Sequence, residues 1–108
     1  MPDKFRVLFI GDIVGRPGRR ALSRFLPDLR KKSQPSLVMA NGENAAGGIG
    51  LTEDIGRELL LQVDVLTSGN HIWDKKEVFN YLEKEPRLVR PANYPEGNPG
   101  HGYHIFEN

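Results

Sequence analysis

The sequence predicts an α/β fold built on a parallel sheet, and three observations predict it. Three short apolar runs, Val7-Leu8-Phe9-Ile10, Leu37-Val38-Met39 and Val63 to Leu66, are β-branched or bulky and read as buried strands. Helix-like stretches lie between them, so crossovers of the βαβ kind join the strands and make them parallel. Each run also ends in a cluster of metal-ligand side chains: Phe9-Ile10-Gly11-Asp12, Ala40-Asn41-Gly42-Glu43-Asn44 and Ser68-Gly69-Asn70-His71. In such sheets the carboxyl ends of all strands share one edge, and ligands bind there. Asp12, Glu43, Asn44, Asn70 and His71 are therefore expected to meet in space.

The first strand is expected over Phe5 to Ile10, followed by a loop over Gly11 to Gly18. Pro17 suits the first turn of a helix. Leu22, Phe25, Leu26 and Leu29 give that helix one apolar face, while Arg20, Arg24, Arg30, Lys31 and Lys32 line the rest. A basic row of this kind reads as a solvated helix face rather than a phosphate-binding stripe. Pro27 is expected to kink or interrupt the helix.

A second strand is expected at Ser36 to Met39, then a loop over Asn44 to Gly50. Thr52 is a good N-cap, and Glu53 and Asp54 suit the positive end of the helix dipole. Ile55, Leu59 and Leu60 form the buried side of this short helix. The third strand covers Asp64 to Thr67. Asp74 with Glu77 resembles a capping box, opening a helix with Val78, Tyr81 and Leu82 inward that Pro86 ends. Pro91 to Gly102 is rich in Pro, Gly and Asn and reads as an irregular loop, after which Tyr103 to Phe106 is expected to begin a strand.

Composition sets the bounds. One domain at most fits in 108 residues. Fifteen basic against fourteen acidic residues give no global argument for nucleic-acid or anionic-membrane binding. The absence of cysteine excludes disulfides and thiolate metal sites. No signal-peptide core or bilayer-length apolar run is present, so a cytoplasmic location is expected.

The strand-end residues offer carboxylate oxygens, amide carbonyls and an imidazole nitrogen, a set suited to Mn²⁺, Fe²⁺ or Zn²⁺ rather than soft copper. A carboxylate that bridges two cations is the usual way to hold a two-metal centre, which activates water and clamps a phosphate ester. Gly11, Gly42 and Gly69 are expected to let the backbone turn and approach ligands closely. Taken alone, Asp12 reads as a cap and Asn70 as a turn residue; together with Glu43 and His71 they read as a site. Trp73 reads as a packing residue. Gly11, Gly15 and Gly18 miss dinucleotide-binding spacing, and no Walker Lys-Ser/Thr follows.

Gly11-Asp12, Asn41-Gly42-Glu43-Asn44 and Gly69-Asn70-His71 resemble the ordered metal motifs of calcineurin-like metallophosphoesterases. Asn41 to Gly48, Gly69 to Asp74 and Arg90 to Pro95 narrow the resemblance to the YmdB-like branch, bacterial phosphodiesterases of 2′,3′-cyclic nucleotides. The resemblance implies a parallel βαβαβ half of a layered α/β sandwich. Residues 1–108 would be the N-terminal part of a single metallophosphoesterase domain, with the C-terminal half outside the chain. It implies two divalent ions (Fe or Mn, otherwise Zn or Mg), with Asp12 on one metal, Glu43 bridging both, and Asn44 and Asn70 on the second. His71 would be the general acid. A phosphate-ester or cyclic-nucleotide substrate is implied, with no membrane and no DNA partner, and a homo-oligomer or pairing with a complementary C-terminal half is expected.

Two departures accompany the resemblance. The wider superfamily begins with Asp-x-His, whereas Val14 stands two residues after Asp12; the YmdB-like branch shares this. The family's further ligands are histidines in the C-terminal half, and His101 and His104 lie too early to match them. The chain alone is therefore expected to be inactive. The alternative is a non-catalytic α/β fragment that binds a nucleotide or partner subunit with an incomplete metal site.

Overall fold

In the computed structural model, which describes residues 4–107, the expected sheet forms. Strands β1 (Val7–Ile10), β2 (Leu37–Asn41) and β3 (Val65–Thr67) lie side by side in that order, all parallel. Helix α1 (Gly15–Ser33) joins the first pair and α2 (Glu53–Leu60) the second. The register sets Leu8 against Val38 and Ile10 against Ala40, with Ala40 against Leu66. These residues share one face, and they share a core with Leu22 and Leu26 of α1 and Leu59 and Leu60 of α2. Both crossovers thus cover the same side of the sheet.

β1 starts at Val7, later than expected, because the amides of Ser36 and Leu37 both turn to the Arg6 carbonyl before the regular ladder begins. α1 starts at Gly15, inside the expected loop, and runs through Pro27 without interruption. Pro27 and Ser23 are exposed, so the carbonyl that loses its donor faces water, where the loss is cheap. Thr52 caps α2 as expected, its hydroxyl accepting from the Ile55 amide at 3.4 Å.

Two further expectations fail. The Asp74–Glu77 capping box does not form: two 3₁₀ turns (Asn70–Asp74 and Lys76–Val78) precede α3 (Phe79–Lys84), and Asp74 bonds His71 instead. Val78, Tyr81 and Leu82 are still buried, and α3 ends before Pro86. Tyr103 to Phe106 forms no strand; Tyr103 and Ile105 are more than three-quarters exposed. Pairing is taken instead by Arg87–Val89, which runs along β3: Leu66 N–H donates to Arg87 O and Val89 N–H to Leu66 O.

Candidate functional site

The loops that leave the three strands are tied to one another at the sheet's C-terminal edge. The amide of Ile13 donates to the Asn41 carbonyl (3.2 Å) and that of Gly15 to the Asn44 carbonyl (3.0 Å), stitching the loop after β1 to the loop after β2. Asn44 Nδ2 donates to Asp12 Oδ1 at 3.0 Å, which leaves the amide oxygen of Asn44 free to meet a cation. Glu43, half-buried, links the second loop to the third. Its Oε2 accepts the His71 amide at 2.8 Å and its Oε1 the Asn41 side chain at 3.4 Å.

Gly69 makes that second link possible. A Cβ there would fall on the Glu43 carboxylate. Of the three glycines expected to ease close approach, it alone meets a ligand-type side chain. Gly42 lies against Leu66, and Gly11 has open space around it. The glycine at 69 is a matter of room and not of handedness, since its φ of −143° suits any residue.

His71 Nδ1 lies 2.8 Å from Asp74 Oδ2. A carboxylate only accepts, so Nδ1 carries the proton of that contact and Nε2 points free. The Asp74 hydrogen bond holds the imidazole above its ordinary pKa of 6.5; slight burial opposes this, and the charges of Asp74, Glu43 and Asp12 add to it. Asn70, next to His71 on the first 3₁₀ turn, is exposed.

Among the described residues no three His, Asp or Glu side chains close to metal-holding distance. Hydrogen bonds join the Asn44 amide to the Asp12 carboxylate and the His71 backbone amide to the Glu43 carboxylate, with Asn70 exposed next to His71. Hard and borderline oxygen donors of this kind fit Mn²⁺, Fe²⁺ or Mg²⁺ as part of a shell rather than as a closed cage.

Three features escape the motif reading. Asp74 orients His71, a contact that i, i+3 spacing on a helical turn could have signalled. Asn41 props Glu43. Arg19 donates to the Ala45 carbonyl at 2.5 Å, anchoring the loop that carries Glu43 and Asn44 to α1. Trp73 packs as expected, edge-on to Phe79 (6.0 Å) and Tyr94 (5.2 Å). Buried Arg90 donates to the Pro91 and Tyr94 carbonyls, which seats the Pro-rich loop on that tryptophan. His101 and His104 are engaged elsewhere: the His101 carbonyl accepts from Arg90 N–H, and the His104 ring meets Phe106 edge-on at 4.6 Å.

Comparisons with known proteins identify relatives of the chain. The Bacillus subtilis protein named 2′,3′-cyclic-nucleotide 2′-phosphodiesterase is 53% identical over 98 residues, which span 90% of this chain and 37% of that protein. A crystal structure described as a novel phosphatase from Mycoplasma pneumoniae superposes with a TM-score of 0.90 at 33% identity, covering 100% of this chain and 40% of its own. A hypothetical protein from Thermus thermophilus gives a TM-score of 0.86 at 50% identity over 96% of this chain and 40% of its own. The chain thus spans under half the length of each of these relatives. No helix of the described residues is long and apolar enough to cross a membrane. The sequence model described as "YmdB-like protein" matches residues 8–108, so the chain belongs to the YmdB-like family.

Proposed function

We propose that this chain supplies the first ligands and the proton donor of a metal-dependent phosphodiesterase acting on 2′,3′-cyclic nucleotides. The observation that carries the reading is the gathering of Asp12, Glu43, Asn44 and His71 from three strand ends, through the Asn44–Asp12 and His71–Glu43 hydrogen bonds. The name of the Bacillus subtilis relative supports the substrate class.

Asp12, Glu43, Asn44 and Asn70 would hold two divalent ions, Mn or Fe by donor type, which when bound acidify water and neutralise phosphate charge. Glu43 would be the bridging ligand that the family resemblance implies, and Gly69 leaves room for its carboxylate. His71 delivers a proton from Nε2 to the departing sugar oxygen as the P–O bond to the 2′ position breaks and water oxygen bonds phosphorus. Asp74 holds the ring for that delivery through Nδ1 and favours its protonated form.

The test is turnover of 2′,3′-cyclic AMP with metal counting, on these 108 residues and on a polypeptide of the relatives' full length. The longer form turns over with Mn²⁺ or Fe²⁺; the shorter one binds at most one ion weakly and turns over negligibly. In the longer form, Glu43→Ala loses metal, while His71→Ala keeps metal and loses kcat by about 10²–10⁴-fold. Full activity in Glu43→Ala overturns the two-metal reading, and full activity in His71→Ala removes the acid.

A further inference from the structure

The near-neutral total charge conceals a strong asymmetry. α1 holds seven basic residues and one acidic residue, which leaves eight basic and thirteen acidic for the other 89 positions. Within α1, Arg16, Arg20 and Arg24 recur at four-residue spacing, on one ridge about 12 Å long at helical rise.

The structure makes this ridge concave. Arg16, Arg19, Arg20, Ser23 and Arg24 line a groove of about 530 Å³ whose far wall carries Glu58 of α2. That volume lies in the range of ligand sites, roughly 300–1,000 Å³. Arg19 is committed to the Ala45 carbonyl. Among the described residues, Arg16, Arg20 and Arg24 have no carboxylate within ion-pair distance. Arg24 lies 5.6 Å over the ring of Phe25, which is 54% exposed and lines the neighbouring apolar groove with Ile10 and Leu29.

We propose that this groove binds the sugar–phosphate backbone of a single nucleic-acid strand. Three unpaired guanidinium forks in a row match successive phosphates, which they bind bidentately and with less hydration to shed than an ammonium. A positively charged groove that tracks the backbone is what sequence-tolerant single-strand binding uses. A membrane surface fits less well, because Arg16, Arg19, Arg20, Ser23, Arg24 and Glu58 line the groove and none offers an apolar side chain to insert. None of Asp12, Glu43, Asn44, Asn70 or His71 lines the groove, so the proposal stands or falls apart from the strand-end chemistry.

The test is fluorescence anisotropy of a labelled oligouridylate with the full chain in EDTA, over a salt series. Three phosphate contacts give a log–log salt slope of about −2, at about −0.7 per contact for single strands. The R16Q/R20Q/R24Q variant binds about ten-fold or more weaker at low salt and loses most of that slope. K31Q/K32Q, which removes charge from the far end of α1, stays within about two-fold of wild type. Glu58→Gln removes the acid of the far wall and binds several-fold tighter, a gain that misfolding cannot imitate. Unchanged binding by the triple variant, an equal loss in K31Q/K32Q, no gain in Glu58→Gln, or equal competition by oligoglutamate would each overturn the proposal.

Discussion

The two outer strands of the sheet differ in what covers them. β3 is closed by its own chain: Arg87–Val89 takes up its free edge, and Leu66, Ile72, Val78, Leu82 and Leu88 around it are fully buried. Among the described residues β1 pairs on one side only, and its outward residues are exposed, Val7 at 52% and Phe9 at 53%. Beside it an apolar groove of about 290 Å³ runs between β1 and α1, bordered by Ile10, Asp12, Phe25 and Leu29. Strands of parallel sheets are ordinarily covered on both faces, and an uncovered apolar edge is a template for another strand. The difference assigns separate work to the two sides. The most complete burial lies around β3, whereas the β1 side leaves apolar surface open.

The largest expected effect lies on the closed side. Leu82→Ala removes a fully buried side chain and costs about 2–5 kcal/mol, a large fraction of the roughly 5–15 kcal/mol that holds a domain folded. Phe9→Thr, in the exposed row, changes stability by about 0.5 kcal/mol or less. Urea denaturation followed by circular dichroism compares the two, and similar losses would break the contrast. Next in size is association. At high concentration the 108 residues alone are expected to self-associate through β1, and V7K/F9K to return them to a monomer, because lysines on an edge strand oppose pairing. Sedimentation velocity showing a wild-type monomer at high concentration would contradict this.

What the sequence made legible follows the same division. Strands and their polar ends were readable because bulky runs ending in ligand-type residues carry both signals at once, and buried Val38, Ala40 and Leu66 confirm the runs. The Thr52 cap was readable because its partner is three residues away. Long-range choices were not. Asp74 had two partners in reach, Glu77 along a helix and His71 across a turn, and the tighter 3₁₀ geometry decided for His71. Tyr103 to Phe106 has strand composition, but Arg87–Val89 had already taken the edge of β3. The arginine groove was invisible because its concavity depends on α2 packing beside α1, which no local pattern encodes. Of the site residues, Asp12, Glu43, Asn44 and His71 are drawn together, while Asn70 is placed by its neighbour alone.

A smaller effect sharpens the role of the strand-end edge. Alanine at Gly69 would put its Cβ on the Glu43 carboxylate, which must swing aside. Because a side-chain tip can move, the stability cost stays at about 1 kcal/mol or below. Metal affinity of the longer polypeptide should nonetheless fall about 10–100-fold, as it does when a ligand loses its support. Isothermal titration with Mn²⁺ measures it, and wild-type affinity in Gly69→Ala would remove Glu43 from the metal set.

The smallest effect is a titration. Asp74 is the main cause of the raised His71 pKa, through its hydrogen bond and then its charge, with Glu43 and Asp12 adding less. A raised folded-state value contributes stability below the ordinary pKa of 6.5, which is lost as pH rises through the folded value. The ring is exposed, so the contribution to stability is screened and the ring's own titration is the sensitive readout. Asp74→Asn keeps a hydrogen-bond acceptor but removes the charge and weakens the bond to the protonated ring. His71 should then titrate at a lower pH than in wild type, followed through its ring protons by NMR without metal. The Glu43 and Asp12 charges remain in that variant, so part of the upward push persists. Glu43→Gln should lower the value less than Asp74→Asn does. If Glu43→Gln moves it more, His71 takes its charge state from the carboxylate cluster and not from Asp74, and the ring is held by the strand ends themselves.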